Sequence, residues 1–297
     1  MTVDCRFLEQ ASPYERTVSG WVDALDPPPL LRLSARLTDA IADLEVSLVA
    51  EPSPSYQLSE ATATARSETT RAAAGSLLEA FRDIGRLRVA SGFRRQVAEI
   101  LGPHPLTGHL LDATIEAARL SRQVTRIDVP DVTPRSPAEF HQLDLEAWPE
   151  LVDLCFTYRN ETRELFAERA VRTPAIVEMY APTPGRPLVF HRYKRSHVTR
   201  AGSTLALYQS MFDQVHGFEL WYDVDTPSHE IVAARVLTPR LPYMGICDEP
   251  QQRARDMVGV KLDADWAGNV RGLLGGRRGC FQLTDLTSDL CRLLTWS

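Results

Sequence analysis

The pattern of hydrophobic residues near the C-terminus has a period of two. In "FELWYDVD" (218–225) apolar residues recur at every second position, and "EIVAARVLTP" (230–239) follows after a Thr-Pro-Ser turn. Alternation of this kind is typical of strands that bury one face. We therefore predict two antiparallel strands over these residues.

A helical pattern follows the two strands. "DEPQQRARDMVG" (248–259) predicts a helix with Asp248 at the N-cap and Pro250 in the first turn, and "WAGNVRGLL" (266–274) predicts a short helix that ends at glycines. The stretch "LTDLTSDLCRLL" (283–294) places its leucines on one helical face: Leu283, Leu286, Leu290, Leu293 and Leu294. Strands followed by helices predict an α+β fold in which a helical layer covers antiparallel strands.

The chain also contains an internal repeat. Residues 83–112 align without a gap to residues 256–285, and residues 31–52 align to residues 205–226. Because the register holds over about 90 residues, we interpret it as a tandem duplication. We expect the two related units to pack about a pseudo-twofold axis, as a homodimer of the single unit would.

The repeat divides the chain into three parts. We predict a degenerate first copy over 14–122, a linker and an amphipathic helix over 123–187, and the functional second copy over 188–297. Within the middle part, the Pro- and Asp-rich stretch 127–144 is typical of a linker. Residues 148–170 predict an amphipathic helix, whose apolar stripe consists of Leu151, Leu154, Cys155, Tyr158, Leu165 and Phe166.

Composition narrows the class of protein. The chain has 297 residues, 44% of them hydrophobic and 24% charged, as is typical of a globular protein. The net charge of −6 argues against a nucleic-acid binder, which needs a basic surface. The N-terminus has no signal-peptide pattern, and no apolar run approaches the ~18 residues of a membrane span. The five cysteines form no CxxC pair and suit reduced thiols, so we expect a cytoplasmic protein without a membrane partner.

Comparison of the two copies separates packing residues from candidate chemistry. Apolar positions persist in both copies, whereas most polar candidates occur only in the second. In the alignment His216, Arg240, Tyr243, Cys247 and Cys280 correspond, in that order, to Ala42, Ser67, Thr70, Ala74 and Thr107. A side chain that only holds the fold should tend to survive in both copies. The comparison therefore points to the second copy as the site of specialised chemistry.

The second copy resembles the bacterial family known as domain of unknown function 2889. The residues that carry the resemblance are "FHRYKRSHVTR" (190–200), "HGFELWYDVD" (216–225), "RLPYMGICDEP" (240–250), "MVGVKL" (257–262) and "LLGGRRGCFQLTDL" (273–286). The family's final motif usually has His after Gly-Cys-Thr, where this chain has Gln282, while the first copy has His109 at that place. The resemblance implies an association with the catabolism of aromatic or acyl compounds, and no established activity.

The stretch "GGRRGCFQ" (275–282) is open to several interpretations. It lacks the lysine of a phosphate-binding loop and favours a helix end followed by a tight turn. Cys280 lies just before a helix and close to Arg277 and Arg278, where positive potential would lower a thiol pKa. Cys247 occupies a similar place, and either thiol could be reactive or simply buried. Their spacing does not favour a metal site.

The stretch "HRYKRSHVTR" (191–200) is the densest basic segment. As a strand it would place Tyr193 and Arg195 on one face, and Arg192 and Lys194 on the other. This could be a solvated edge strand or an anion clamp, in which Arg195 binds a carboxylate or phosphate and Tyr193 supplies a proton.

Two functions follow from these candidates. In the first, the protein is a cofactor-independent lyase, decarboxylase or isomerase acting on a carboxylated aromatic or acyl substrate, without a metal ion. We assign catalytic roles to His216, Tyr193, Cys247 and Cys280, and substrate binding to Arg195, Arg240, Tyr243 and Gln282. In the second, the protein is a non-catalytic ligand-binding or assembly protein. The partner is a small anionic molecule in the first case, and further homo-oligomerisation stays open in both.

Overall fold

A computed structural model of the chain describes residues 13–127 and 136–294. The chain divides into two compact units. The first unit comprises Arg16–Thr133 and Ile176–Tyr193, and the second comprises Met1–Glu15, Pro134–Ala175 and Lys194–Ser297. Cys5 lies outside the described residues.

The first unit is an antiparallel meander followed by helices. Its strands are β1 (Tyr14–Ala24), β2 (Leu31–Asp39), β3 (Asp43–Ala50) and β4 (Leu58–Ala65), in the order β4-β3-β2-β1. The helices are α1 (Glu68–Ala74), α2 (Leu77–Ala80), α3 (Phe93–Leu101) and α4 (Thr107–Leu120), with a 3₁₀ turn over Phe81–Arg86. Helix α4 packs across β2 and β3, whose alternate apolar side chains form the core of the unit.

The middle of the chain differs from its prediction. Residues 128–135 of the predicted linker lie outside the described residues, and its second half is helix α5 (Pro137–Ala147), which Ser136 caps through its side chain. The predicted amphipathic helix over 148–170 is wrong. It is replaced by 3₁₀ turns over Pro149–Leu151 and Phe156–Tyr158 and by the short helix α6 (Thr162–Glu168). Asp153 has a positive φ and Cys155 is extended, so a continuous helix cannot pass through them.

The second unit contains the strands β5 (Phe190–Ala201, from Lys194 onward), β6 (Thr204–Asp213), β7 (Gly217–Asp225) and β8 (Glu230–Arg240), in the order β5-β6-β7-β8. They precede the helices α7 (Asp248–Gln251), α8 (Trp266–Leu274) and α9 (Phe281–Arg292), with 3₁₀ turns over Gln252–Met257 and Gly276–Arg278. Helix α9 packs on β6 through the predicted leucine face, and Tyr222 on β7 reaches Thr287 on α9 at 2.9 Å.

The two units share an order of elements. Helix α8 begins 173 residues after helix α3, and both are nine residues long. The turn between β2 and β3 begins at Asp39, and the turn between β6 and β7 begins at Asp213, 174 residues later. The α+β class is therefore confirmed, while the pseudo-twofold packing of the units stays a prediction. No helix in the described part of the chain is long and apolar enough to cross a membrane.

Candidate functional site

The predicted base His216 lies in the turn between β6 and β7. The Oδ1 atom of Asp213 accepts hydrogen bonds from the backbone N–H of Val215, at 2.8 Å, and of His216. The Nδ1 atom of His216 lies 3.1 Å from the same oxygen. A carboxylate only accepts, so Nδ1 carries a proton and donates it to Asp213. Arg240 donates to the backbone carbonyl of Asp213, so its guanidinium is tied to this turn.

The first unit contains a matching aspartate. Asp39 accepts from the backbone N–H groups of Ile41 and Ala42, at 2.8 and 2.9 Å, and its carboxylate contacts Arg16 and the Nε2 atom of His109. The turn aspartate and a neighbouring histidine thus occur in both units, although His109 comes from α4. An aspartate in both turns has a structural role, because its carboxylate accepts hydrogen bonds from two backbone N–H groups of the turn that have no partner in the strands.

The first unit also holds a buried ionic cluster that the sequence comparison missed. Asp112 on α4 contacts both Arg16, at 3.1 Å, and Arg94, at 3.0 Å, while Arg16 also contacts Asp39. The side chains of Arg16 and Asp39 are 6% and 0% exposed. Because these partners are far apart in sequence, local motifs gave no signal of them. The first unit therefore holds more buried polar structure than the predicted degenerate copy suggests.

The basic strand β5 has the predicted alternation, but it is not solvated on both faces. Arg192 and Lys194 are buried, with Glu116 and Asp289 as ionic partners. Tyr193 and Arg195 point to the other face, where Tyr193 is 44% exposed and Arg195 pairs with Glu15 at 2.9 Å. This hydrogen bond holds the pKa of Glu15 below its ordinary value. Since Lys194 faces α9, Arg195 lies on the side of the strand opposite to Cys280, which begins that helix.

An aromatic cluster forms where the middle segment packs against Tyr243, which follows β8 in the second unit. The ring of His141 stacks on Tyr158, with centroids 5.2 Å apart, and contacts Phe166 and Tyr243 at 4.7 and 5.7 Å. Asp144, buried beside them, accepts a hydrogen bond from the hydroxyl of Tyr158 at 2.7 Å and another from Tyr243. We call His141, Asp144, Tyr158, Phe166 and Tyr243 the aromatic cluster.

His141 has the properties of a neutral base. Burial lowers its pKa from 6.5, and the nearby positive charge of Arg163 lowers it further. Its Nε2 atom lies 3.0 Å from the carbonyl oxygen of Thr157, which can only accept, so Nε2 carries the proton. The Nδ1 atom therefore holds the lone pair, and it has no hydrogen-bond partner among the described residues. Sequence reasoning missed His141 because it placed the residue in a linker.

Three cysteines meet next to this cluster. Cys247, just before α7, lies 3.0 Å from the hydroxyl of Thr157, and the backbone N–H of Phe156 donates to Gly279 at 2.9 Å, which brings Cys155 opposite Cys280. Cys155 and Cys280 are partly exposed as residues, but their thiols are buried, as is that of Cys247. We call Cys155, Thr157, Cys247, Gln251 and Cys280 the thiol cluster.

The expected lowering of the Cys280 pKa is wrong. Burial raises the pKa of Cys280, as it raises that of Cys247, and it raises the pKa of Cys155 to about 12. Arg277, which was expected to stabilise a thiolate, pairs instead with Glu161 at 2.7 Å and Asp153 at 3.3 Å. Loss of hydration thus outweighs the helix terminus, where Cys280 is the N-cap as expected. The thiols are neutral at physiological pH and are poor nucleophiles.

Gln251 completes the thiol cluster. It is 2% exposed, and its Nε2 atom donates to the carbonyl oxygen of Cys247 at 2.9 Å. Its Oε1 atom has no hydrogen-bond partner among the described residues. Gln282, which was expected to bind substrate, is half-buried in the first turn of α9, where its backbone N–H acts to lower the pKa of Cys280.

The predicted site residues therefore fall into three places. Tyr243, Cys247, Cys280 and Gln282 come together beside the middle segment, His216 and Arg240 share a turn, and Tyr193 and Arg195 face outward on β5. The described residues contain no group of three or more His, Cys, Asp or Glu side chains that could hold a metal ion.

Fold and site together define the class of protein: an α+β chain of antiparallel strands and helices, whose second unit combines a buried neutral imidazole with neutral thiols. Residues 198–295 match the model of a family described as a protein of unknown function, DUF2889. The match lies within the second unit and includes His216, Arg240, Tyr243, Cys247 and Cys280. No curated protein and no solved structure matches the chain.

Proposed function

We propose that the protein is a small-molecule enzyme that acts on a carboxylated aromatic or acyl substrate by acid–base chemistry, as a lyase, decarboxylase or isomerase. The observation that carries the proposal is the neutral His141, with its Nδ1 lone pair free, beside an arginine without an ion pair among the described residues. A neutral base next to a cation is an arrangement that can remove a proton from a bound anion.

Each part of the aromatic cluster has a role in this proposal. Arg163 is exposed and would bind the carboxylate of the substrate. The Nδ1 atom of His141 would accept the proton, and the rings of Tyr158 and Phe166 would stack on an aromatic or planar acyl group. Asp144 holds the two tyrosine hydroxyls and so fixes the walls around the base.

We assign the base to His141 rather than to His216. The aspartate that orients His216 has a counterpart in the first unit, where it holds a turn, whereas the middle segment that carries His141 lies between the two copies. Arg240 is tied to the same turn, and Arg195 is paired with Glu15. The repeated order of elements supports a tandem duplication in which the second unit acquired this segment.

One observation favours a non-catalytic ligand-binding protein instead. The thiols are neutral, and two tyrosine hydroxyls are engaged with Asp144, so few groups other than His141 are free to transfer protons. If His141 only binds the ligand, the same residues would form a ligand sensor. The two functions differ in whether bound ligand is chemically changed.

The test is exchange and turnover measured by ¹H NMR in D₂O. Wild type is incubated with phenylacetate, phenylmalonate, benzoylacetate and acetyl-CoA, and loss of the acidic C–H signal or release of CO₂ is followed. His141→Gln keeps a donor for the Thr157 carbonyl but has no base, so we expect a loss of about 100-fold or more in rate. Arg163→Gln should raise KM, while Arg82→Gln, an exposed arginine in the first unit, is the matched control.

Two results would contradict the proposal. Binding of one of these anions without any exchange or turnover would favour the ligand-binding protein. Turnover that survives in His141→Gln would show that another residue is the base, with His216→Gln as the next variant to test.

A further inference from the structure

We propose that the outward face of strands β6, β7 and β8 is a self-association surface, on which a second copy of this chain docks about a twofold axis. The surface lies on the side of β6 and β7 that does not face helix α9. We call it the β6–β8 face, and its members are Tyr208, Phe212, Trp221, Asp223, Arg235 and Leu237. The inference goes beyond the proposed acid–base chemistry and does not depend on it.

The centre of the β6–β8 face is a row of three side chains. In the strand register, Trp221 on β7 lies between Tyr208 on β6 and Arg235 on β8. The ring centroids of Tyr208 and Trp221 are 5.3 Å apart, and the guanidinium carbon of Arg235 lies 4.2 Å from the Trp221 centroid. The hydroxyl of Tyr208 donates to Glu219 at 3.1 Å. Ring and cation–π contacts therefore order these side chains before a partner binds, which lowers the entropic cost of association.

Exposed apolar side chains flank this row. Phe212 is 37% exposed and lies across Gly217, where an added Cβ would come within 3.1 Å of the ring. Leu237 is 49% exposed and lies opposite Glu219. The solvent side of an antiparallel sheet ordinarily carries polar residues, so apolar side chains there indicate an interaction surface. Trp, Tyr and Arg are also the residue types that contribute most to binding at protein interfaces.

The first unit provides an internal comparison for this row. In each unit the row begins five residues before the turn aspartate, and in the second unit it consists of Tyr208, Trp221 and Arg235. In the first unit it consists of small hydroxyl side chains, which are Ser34, Ser47 and Thr62. The meander of strands therefore forms without aromatic side chains at these positions, so the fold does not account for their presence in the second unit.

Two charges make the β6–β8 face complementary to itself. Neither Asp223 nor Arg235 has an ion-pair partner among the described residues. They lie on neighbouring strands and point to the same side, because Asp223 is opposite Ala233, two residues before Arg235. In a twofold interface the Asp223 of each copy can pair with the Arg235 of the other. A nucleic acid fits less well, since its phosphates would meet Asp223 on a chain of net charge −6.

The size of the β6–β8 face determines how tight the dimer can be. Its strands have 10, 9 and 11 residues. With about 4.8 Å between strands and about 3.4 Å per residue, the face measures about 15 by 30 Å. Two such faces would bury about 900 Å² in total, which is the range of weak, transient interfaces. We therefore expect a dissociation constant of about 10–100 µM.

The first test is sedimentation velocity of the full chain at about 5 to 500 µM, a range that brackets the expected dissociation constant. The weight-average mass of wild type should rise from that of a monomer towards that of a dimer. Trp221→Ser introduces the side chain that the first unit has in this row, and it should weaken the dimer at least about tenfold. A dimer that Trp221→Ser leaves intact would overturn the inference.

The second test exchanges the two charges. Arg235→Asp and Asp223→Arg each place like charges opposite one another in a homodimer, so each should weaken association at least about tenfold. An equimolar mixture of the two variants should associate again, because two carboxylates on one chain then meet two guanidinium groups on the other. Arg32→Asp, the same change at an exposed outward position of β2 in the first unit, is the control and should leave the dimer unchanged.

A measurement on wild type alone keeps the inference testable if a variant does not fold. Hydroxyl-radical labelling of Phe212, Trp221 and Leu237, mapped by mass spectrometry, should decrease as the protein concentration rises through the dissociation constant. Unchanged labelling in a sample that dimerises, or folded charge variants that do not associate when mixed, would contradict the proposed interface. A monomer at every concentration would overturn it and favour a different partner for this face.

Discussion

Replacement of Asp39 by alanine is the sharpest test of the buried polar structure in the first unit. The carboxylate of Asp39 is fully buried and has two sets of partners. One oxygen accepts from the backbone N–H groups of Ile41 and Ala42, and the other lies 2.9 Å from Arg16 and 3.2 Å from His109. Asp39→Ala removes all of these interactions and leaves Arg16 with a buried positive charge.

The magnitude follows from the burial of Arg16. Removing one partner of a buried ion pair costs about 3–5 kcal/mol, because the remaining charge is left without hydration. Asp112, which also contacts Arg16 at 3.1 Å, compensates part of this cost, whereas the two lost amide hydrogen bonds add to it. We expect a loss of about 4 kcal/mol, which is a large part of the ~5–15 kcal/mol that stabilises a typical protein.

Asp43 in the same hairpin supplies the control. Its carboxylate pairs with Arg36 at 2.8 Å, as short as the contacts of Asp39, but the Arg36 side chain is 47% exposed. An exposed pair contributes about 0.2–1 kcal/mol, so Asp43→Ala should cost less than about 1 kcal/mol. In urea unfolding, an m-value of about 2 kcal/mol/M gives a midpoint shift of about 2 M for Asp39→Ala and below about 0.5 M for Asp43→Ala. Equal shifts for the two variants would refute the argument from burial.

Three further predictions concern the second unit. The pKa of His141 in the folded protein lies below its unfolded value of 6.5, so the unfolded state binds the proton at a higher pH. The free energy of unfolding should therefore fall as the pH drops below 6.5, and His141→Gln should flatten this part of the stability–pH curve. Tyr243→Phe removes a buried hydrogen bond to Asp144 and should cost about 2 kcal/mol of stability in urea unfolding. The control is Tyr208→Phe, which removes a hydroxyl that donates to the partly exposed Glu219 and should cost less than about 1 kcal/mol. Iodoacetamide at pH 8 should label Cys155 about 1000-fold more slowly than an unfolded peptide, as a pKa of about 12 implies; equal rates would contradict the raised pKa.

Local patterns predicted the regular elements well. The helix over 266–274 and the strand over 218–225 are present within a residue of their predicted bounds, since each depends on its own apolar spacing and on the glycines or turns that end it. The aligned segments 93–101 and 266–274 are both nine-residue helices, while the duplication itself stays a prediction. The helix predicted over 248–259 is α-helical only over Asp248–Gln251 and continues as a 3₁₀ turn over Gln252–Met257. Its N-cap is Cys247 rather than Asp248, whose carboxylate instead accepts from the backbone N–H of Gly245.

The middle segment could not be predicted in the same way. Leu151, Leu154 and Phe166 have helical spacing, yet the backbone turns at Asp153 and extends at Cys155 so that Tyr158 can reach Asp144 and Thr157 can reach Cys247. These contacts join residues up to 90 positions apart. Tertiary contacts of this range override local periodicity, and a single sequence carries no record of them.

The error over Cys280 has the same origin. Its local surroundings, a helix start and two arginines, are those of a reactive thiol. The structure turns Arg277 towards Glu161 and Asp153 and buries the sulfur beside Gln251, so the two effects that were expected to act together are separated in space. Motifs predict which groups are available, while the sign of a pKa shift depends on burial that only the fold determines.

The comparison of the two units gives a criterion for function that neither unit gives alone. Asp39 and Asp213 occupy the same turn and make the same two backbone contacts, so their role is explained by the fold. In the predicted alignment Tyr243 corresponds to Thr70 and Cys247 to Ala74, and Tyr243 and Cys247 each contact a polar group of the middle segment. The polar contacts of Tyr243 and Cys247 therefore both lie where the middle segment packs against the residues that follow β8. Packing alone would require apolar side chains there, and it does not explain a base without a partner at His141 or a buried acceptor without a donor at Gln251.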